Sequence, residues 1–397
     1  MTIPAPILAL RDQGDDLRDR LTSWAHINSG SHHYAGLERM REALRLAFQP
    51  FAGAQIETVV LPGTPAKALR VRCRPEAPRQ VMLSGHYDTV FGEDHPFQRC
   101  ALLDTQTLRG PGVADMKGGL LTMVAALEAF EQLPEAVNVG WEALLTPDEE
   151  IGSDASAAVI IETARRHQLG LVFEPARSTG DLVQSRKGTG NFTLTVHGRA
   201  AHAGHIPNQG RNAIVALAEL LVALQNIPAE LPGVLVNAGR IEGGSAALNV
   251  VPDFARAGLN LRITRVADEA LVRARLQTLL APFQAREGFS VELTGVFDCP
   301  PKECGPAEEA VFAEWQRCGL ALGVAPFSWV HTGGGSDGNL LSAAGLPNLD
   351  GVGPVGDGMH SDREFCRLPS LVERAQIAAL FLSRWARGEI SPLPQKT

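Results

Sequence analysis

Two adjacent glutamates, Glu149 and Glu150, close the run Thr146-Pro147-Asp148-Glu149-Glu150, directly after the apolar stretch 141–145. Neighbouring carboxylates at a strand end can hold a cation and move a proton; in isolation they are a solvated turn. Other segments shift that balance. His86 and Asp88 follow the apolar run 81–85, and Asp115 lies in the glycine-rich stretch 110–119. Glu174 ends the run 171–173, and His360 stands in Gly358-Met359-His360-Ser361-Asp362. Histidines and acids at strand or loop ends suggest a binuclear metal site, because zinc takes imidazole nitrogen and carboxylate oxygen.

Two cations a few ångström apart need a ligand that spans them, and an aspartate can place one oxygen on each. Asp115 suits that post, since glycines on both sides allow a tight, unusual turn. A cis peptide after Asp115 would fit this crowding, although without proline it costs roughly 3 kcal/mol. Asp88, two residues beyond His86, is placed to accept the second imidazole N–H and fix the tautomer of a metal-bound ring. If Glu150 binds a cation, the adjacent Glu149 side chain diverges from it and suits a general base. It would take a proton from water and return it to the departing amine.

These residues need elements that bring strand ends together. Helical spacing covers 15–27 and 36–49, and strand patterns cover 55–61, 68–73 and 80–86. Helix 117–132, strand 138–145, helix 154–167 and strand 170–174 follow. This alternation predicts an α/β fold, a mainly parallel sheet covered by helices, in which ligands bind beyond the carboxyl ends of the strands. Residues 178–181 read as a linker. Strand 191–197, helix 211–226, strands 233–241 and 253–263, helix 267–285 and strand 289–297 then give the β-α-β-β-α-β order of a ferredoxin-like α+β domain. Residues 183–297 are thus expected to be an inserted domain. Residues 1–182 and 298–397 form the catalytic domain, the latter adding helix 307–321, strand 326–331, helix 337–344, strand 347–350 and helix 368–387. Residues 392–397 are expected to fray.

A chain of 397 residues has room for two cores. Its net charge of -8 argues against a nucleic-acid partner, which needs basic surface. The six cysteines contain no CxxC pair, which argues against a thiolate zinc site and for reduced thiols. The amino terminus lacks the basic start and apolar core of a secretion signal. No uninterrupted apolar stretch reaches the length of a membrane span. The expectation is a cytoplasmic protein with no membrane partner.

Taken together, His86-Tyr87-Asp88, the Gly-x-Gly-x-x-Asp-Met-Lys-Gly segment ending at Gly118, Glu149-Glu150, Glu174 and His360-Ser361-Asp362 match a known family in type, order and approximate spacing. From about residue 80 to 380 the chain resembles the binuclear-zinc amidohydrolases that include bacterial glutamate carboxypeptidase, acetylornithine deacetylase and succinyl-diaminopimelate desuccinylase. The resemblance implies two zinc ions, with cobalt or manganese as substitutes. His86, Asp115 and Glu174 would hold the first, and Asp115, Glu150 and His360 the second, with Glu149 as base. It further implies a homodimer joined through the inserted domain, with His202 reaching into the partner subunit's site to hold the tetrahedral oxyanion. Arg262 matches the family's arginine for a substrate α-carboxylate, for which its bidentate fork is suited; a surface ion pair is the alternative.

Other residues carry two readings each. Asn249 is an amide donor to substrate or a turn residue. Gly335 and Ser336 precede a predicted helix, whose first N–H groups could bind a carboxylate while Ser336 or Asp337 caps it. Arg186-Lys187 is a site for an acidic group or a solvated basic turn. His205 reads as solvated, and His32-His33 as lacking partners. The expected activity is cleavage of an amide bond next to a free carboxylate, releasing a carboxyl-terminal amino acid, glutamate among the candidates, from a small peptide or N-acyl amino acid. Alternatives are an N-deacylase of deacetylase or desuccinylase type, and a metal-free binding protein descended from such hydrolases.

Overall fold

Strand Arg79–His86 is buried along its last six residues. Strand Val139–Thr146 is buried throughout. Both must therefore lie inside a sheet with both faces covered. In this computed structural model, which describes residues 2–204 and 209–390, they are neighbouring members of a parallel core. Its four strands are Leu169–Val172, Arg79–His86, Val139–Thr146 and, beyond Leu169–Val172, Asn348–Asp350. Antiparallel strands flank it: Lys67–Cys73 and then Gln55–Val60 on one side, Leu182–Arg186 on the other, with Trp329–Thr332 at that edge. The chain is mixed α/β with a central, mainly parallel sheet. In parallel register His86 sits opposite Thr146, and Ser84 opposite Val172. The segments after these strands, bearing Glu149-Glu150 and Glu174, thus emerge beside His86.

Helix Lys117–Phe130 is buried all round except at Glu128, as expected of an apolar helix within a core. It shares one apolar cluster with helices Gly14–Ala25 and Leu368–Ala386. Its close approach to the sheet depends on glycine: a Cβ at Gly119 would lie 1.8 Å from the Phe173 carbonyl oxygen. That contact draws the start of the helix, and Asp115 just before it, toward the Glu174 segment.

The chain divides into two units. The first comprises Met1–Ser185, Cys304–Thr332 and Ser336–Thr397; the second comprises Arg186–Glu303 and Gly333–Gly335. The second contains an antiparallel sheet in the order Leu235–Gly243, Phe254–Ile263, Gly188–His197, Ser290–Cys299. Helices Ala213–Leu224 and Val266–Gln284 join its strands, and their buried leucines and alanines share one core with the sheet. The strand order is that of a ferredoxin-like sandwich.

Several details depart from the sequence reading. The divisions fall at Ser185/Arg186 and Glu303/Cys304 rather than at 182/183 and 297/298. Just beyond the expected linker, Leu182–Arg186 adds a strand to the first unit's sheet. Gly333–Gly335 belongs with the second unit. There the Gly333 carbonyl accepts from Arg262, and those of Gly334 and Gly335 accept from Arg186 at 3.4 and 3.0 Å. Arg186 is accordingly buried rather than a solvated turn. A hairpin, Ala101–Asp104 with Thr107–Arg109, pairs with Phe365–Arg367 and has no expected counterpart. The segment Ala213–Glu230 is long and apolar enough by composition to span a membrane, although Glu219, Gln225 and Asn226 interrupt it. Its first helix instead buries Ala213, Ala216, Leu217, Leu220 and Leu224 in the second unit's core. His205 and 392–397 lie outside the described residues.

Candidate metal centre

Six side chains from five segments of the first unit converge beyond the parallel strand ends. His86 is the last residue of its strand. Its Nε2 lies 3.0 Å from Asp115 Oδ1, 3.5 Å from Glu174 Oε1 and 3.9 Å from Glu149 Oε2. The other Asp115 oxygen, Oδ2, is 3.4 Å from His360 Nε2, which is 3.0 Å from Glu150 Oε2. One Asp115 carboxylate thus faces two imidazoles, one oxygen toward each. His360 takes this position from a left-handed backbone, φ 61°, an uncommon state for a residue with a side chain. The peptide bond between Asp115 and Met116 is cis.

Asp88 organises one flank from behind. Its Oδ1 lies 3.2 Å from His86 Nδ1 and accepts from Glu149 N at 3.2 Å. Its Oδ2 accepts from Glu150 N at 3.2 Å and from Ser31 Oγ at 2.8 Å. A fully buried carboxylate therefore ties the histidine to the Glu149-Glu150 turn. With Nδ1–H directed at Asp88, the Nε2 lone pair points toward Asp115 and Glu174.

Glu364 was not singled out in the sequence, although it stands four residues after His360. It is buried, and its Oε1 accepts from Ala114 N at 2.9 Å and Asp115 N at 3.0 Å, while Oε2 accepts from Gly112 N at 3.0 Å. Burial pushes this carboxyl up to about 8, against the backbone N–H groups that favour the anion. Three donors from one loop fix the backbone that carries Asp115. Gln presents a single acceptor oxygen there and turns an NH₂ group on an N–H. Glu364→Gln is therefore expected to weaken metal binding roughly 10–100-fold, the usual effect of losing an outer partner of a ligand. Titration against a chromogenic chelator reads this, and an unchanged affinity would remove Glu364 from the account.

The carboxylates and imidazoles set one another's ionisation. Burial would lower His86, but hydrogen bonds to Asp115 and Asp88 and the charges of Glu174 and Glu149 raise it well above its ordinary value. His360 is raised to about 11 by Asp115 and Glu150. For Asp115 burial is outweighed by His360 and His86, and its pKa is lowered. Glu149 is raised well above the usual carboxylate range, first by burial, with Glu174, Asp337 and Asp115 adding to it against His86.

The donor set fits divalent cations. It offers only imidazole nitrogen and carboxylate oxygen, within 4.8 Å of one another in the groups His86, Glu149, Glu174 and His86, Asp115, Glu150. The separations of His86 Nε2 from Asp115 and Glu174, 3.0 and 3.5 Å, are near the roughly 3.3 Å between donors of one tetrahedral zinc with bonds of about 2 Å.

The remaining expected residues fall differently. Ser336 caps helix Asp337–Ala343: its Oγ accepts from Gly338 N at 3.0 Å and donates to Asp350 at 2.9 Å. Its hydroxyl is committed to the fold. In the second unit His202 lies in a two-stranded ribbon, paired with Val250. Its Nδ1 accepts from Gly204 N at 3.1 Å, which leaves the neutral ring's proton on Nε2. Asn249 is exposed beside it, its carbonyl accepting from Ala203 N at 2.8 Å. Arg262 donates to the Gly333 carbonyl and, at 3.2 Å, to Asn260 Oδ1, so part of its fork is spent within its own unit. Gly335 is exposed in the same loop. Contrary to the sequence reading, His33 has partners: Nδ1 lies 2.9 Å from Asn28 Oδ1, and Nε2 is 3.8 Å from Glu93.

Comparison with known proteins accords with this geometry. Carboxypeptidase G2 of Pseudomonas sp. (strain RS-16) is 27% identical over 321 residues, 78% of this chain and 75% of the relative. Succinyl-diaminopimelate desuccinylase 2 of Shewanella loihica is 27% identical over 339 residues, 78% of this chain and 86% of the relative. The crystal structure of aminopeptidase PepT from Bacillus cereus superposes with a TM-score of 0.76 at 19% identity, covering 93% of this chain and 98% of that one. Residues 82–384 match Peptidase family M20/M25/M40, and with that stretch spanning most of its length the chain belongs to this family of metal-dependent hydrolases.

Proposed function

We propose that this hydrolase cleaves an amide bond next to a free carboxylate, releasing a carboxyl-terminal amino acid, glutamate among the candidates, from a small peptide or N-acyl amino acid. The observation that carries this reading is the Asp115 carboxylate facing both imidazoles, with Glu149 alongside. His86, Asp115 and Glu174 would hold one zinc, and Asp115, Glu150 and His360 the other. Bound there, divalent cations would polarise the scissile carbonyl and bring a water's pKa toward neutrality. Glu149 takes the proton from the attacking water and delivers it to the leaving nitrogen. Asp88 holds His86 in the tautomer that presents Nε2. Arg262, with Asn249 and the Gly335-Ser336 loop, would receive the substrate carboxylate; the partial commitment of Arg262 and the full commitment of Ser336 make Arg262 the stronger member of that group.

A desuccinylase or deacetylase activity uses the same centre, and the similarity to a desuccinylase over 86% of its length favours keeping it as the second reading. Dipeptides and N-acyl amino acids scored by kcat/KM separate the two. Chelation should abolish turnover and zinc, cobalt or manganese should restore it; a protein with no turnover to lose would be a binder instead.

We propose further that the chain works as a homodimer through the inserted unit, with His202 donating Nε2–H to the oxyanion in the partner subunit's site. Loss of one such donor typically costs on the order of 10²–10³ in kcat. His202→Ala and Glu149→Ala homodimers should both lose most of their activity, and mixing them should raise it through heterodimers with one complete site. No recovery would count against sharing.

A further inference from the structure

We propose that a cavity of about 580 Å³ beside Glu150, within the first unit, is the acyl subsite of the hydrolase, and that it takes a non-anionic, apolar acyl group rather than a dicarboxylic one. The inference rests on the amide-hydrolase reading above and narrows its substrate. A volume of this size suits a small organic group, and the cavity reaches one of the converging carboxylates. Its walls include three large apolar side chains left exposed by the fold, Tyr34, Val90 and Ile151. Exposed apolar side chains scattered singly need no explanation; these three instead face one concavity, where they offer apolar walls to a bound group.

The charge of the lining decides the class of ligand. No Lys or Arg is among the described residues that line it, whereas Glu93 is; the charge of Glu150, the other acid on the wall, would be taken up by the cation it holds. His33 is already matched. Asn28 Nδ2 donates to the carbonyls of Phe91 and Gly92 and to Gln98, which fixes the amide so that its Oδ1 faces His33 Nδ1 and the Gly30 N–H. The ring therefore donates from Nδ1 and turns Nε2 toward Glu93 at 3.8 Å. Any charge on His33 is answered by that carboxylate. His32 is the remaining basic side chain among the described lining residues, and it is exposed. A free carboxylate entering here would be desolvated beside Glu93 with no guanidinium fork or ammonium on the wall to receive it. The α-carboxylate of the leaving amino acid is excluded on the same ground, so the part of the substrate that fits is the acyl side.

The test measures binding apart from turnover. N-benzoyl, N-acetyl and N-succinyl derivatives of one amino acid are titrated calorimetrically into metal-loaded Glu149→Gln, with and without Val90→Trp or Glu93→Lys, and kcat/KM is measured on the corresponding proteins that retain Glu149. Benzoyl is expected to bind tightest and succinyl weakest. Val90→Trp, by filling the cavity, should lower the benzoyl-to-acetyl ratio about tenfold, within the range that shape discrimination in an apolar pocket supplies. Glu93→Lys should raise succinyl relative to benzoyl. Tightest binding of the succinyl compound, or ratios unmoved by both substitutions, would overturn the subsite. Absence of hydrolysis of every compound by the metal-loaded protein would instead sink the hydrolase reading, and the calorimetric ratios would still judge the cavity.

Discussion

Glu149→Gln is expected to retain two cations per chain while kcat falls about 10²–10⁴-fold, the usual contribution of a positioned general base. Among the oxygens around His86, that of Glu149 is the most distant from Nε2, at 3.9 Å, against 3.0 Å for Asp115 and 3.5 Å for Glu174. Its backbone is held independently by Asp88, so the amide can replace the carboxylate without loosening the turn. The wild-type acidic limb in kcat/KM, where a base becomes protonated, should disappear from the variant's residual activity. Metal content by plasma mass spectrometry beside single-turnover rates gives the answer. If metal is lost along with turnover, Glu149 is a ligand and its role has been exchanged with that of Glu150.

Asp115→Ala should do more damage, and of a different kind. One carboxylate lies 3.0 Å from His86 through one oxygen and 3.4 Å from His360 through the other, and without it both imidazoles lose the carboxylate they share. Metal affinity is expected to fall by more than the roughly 10–100-fold typical of outer partners such as Glu364, leaving at most one cation per chain, and turnover should drop below that of Glu149→Gln. Far-ultraviolet circular dichroism distinguishes loss of metal from loss of fold. A folded Asp115→Ala protein that still carries two cations would show that the bridge is elsewhere.

Much of the architecture was legible because its strands and helices repeat their apolar residues at regular spacing. Strand 80–86 was expected and Arg79–His86 is found; helix 267–285 was expected and Val266–Gln284 is found. Elements without such periodicity were missed. The hairpin Ala101–Asp104 with Thr107–Arg109 is exposed along its first strand, and strand Leu182–Arg186 is short and follows a turn-rich stretch. The Ser336 hydroxyl could be read as a cap or as a substrate contact, and only its bonds to Gly338 and Asp350 chose between them. His33 was set aside because its partner Asn28 lies across a turn whose shape its sequence does not announce.

The amino-acid order by itself determined which donors exist and that each stands where a strand or a loop ends, since residue type and apolar periodicity are local properties. The parallel register that sets His86 opposite Thr146 was decided by the tertiary structure. So was the Asp88 carboxylate that joins a histidine to the N–H groups of the two glutamates. So was the hydrogen bond from Asp115 N to Glu364, a residue 249 positions away. Contacts of this kind depend on packing between distant segments, and a buried acceptor facing three backbone donors leaves no periodic trace along the chain.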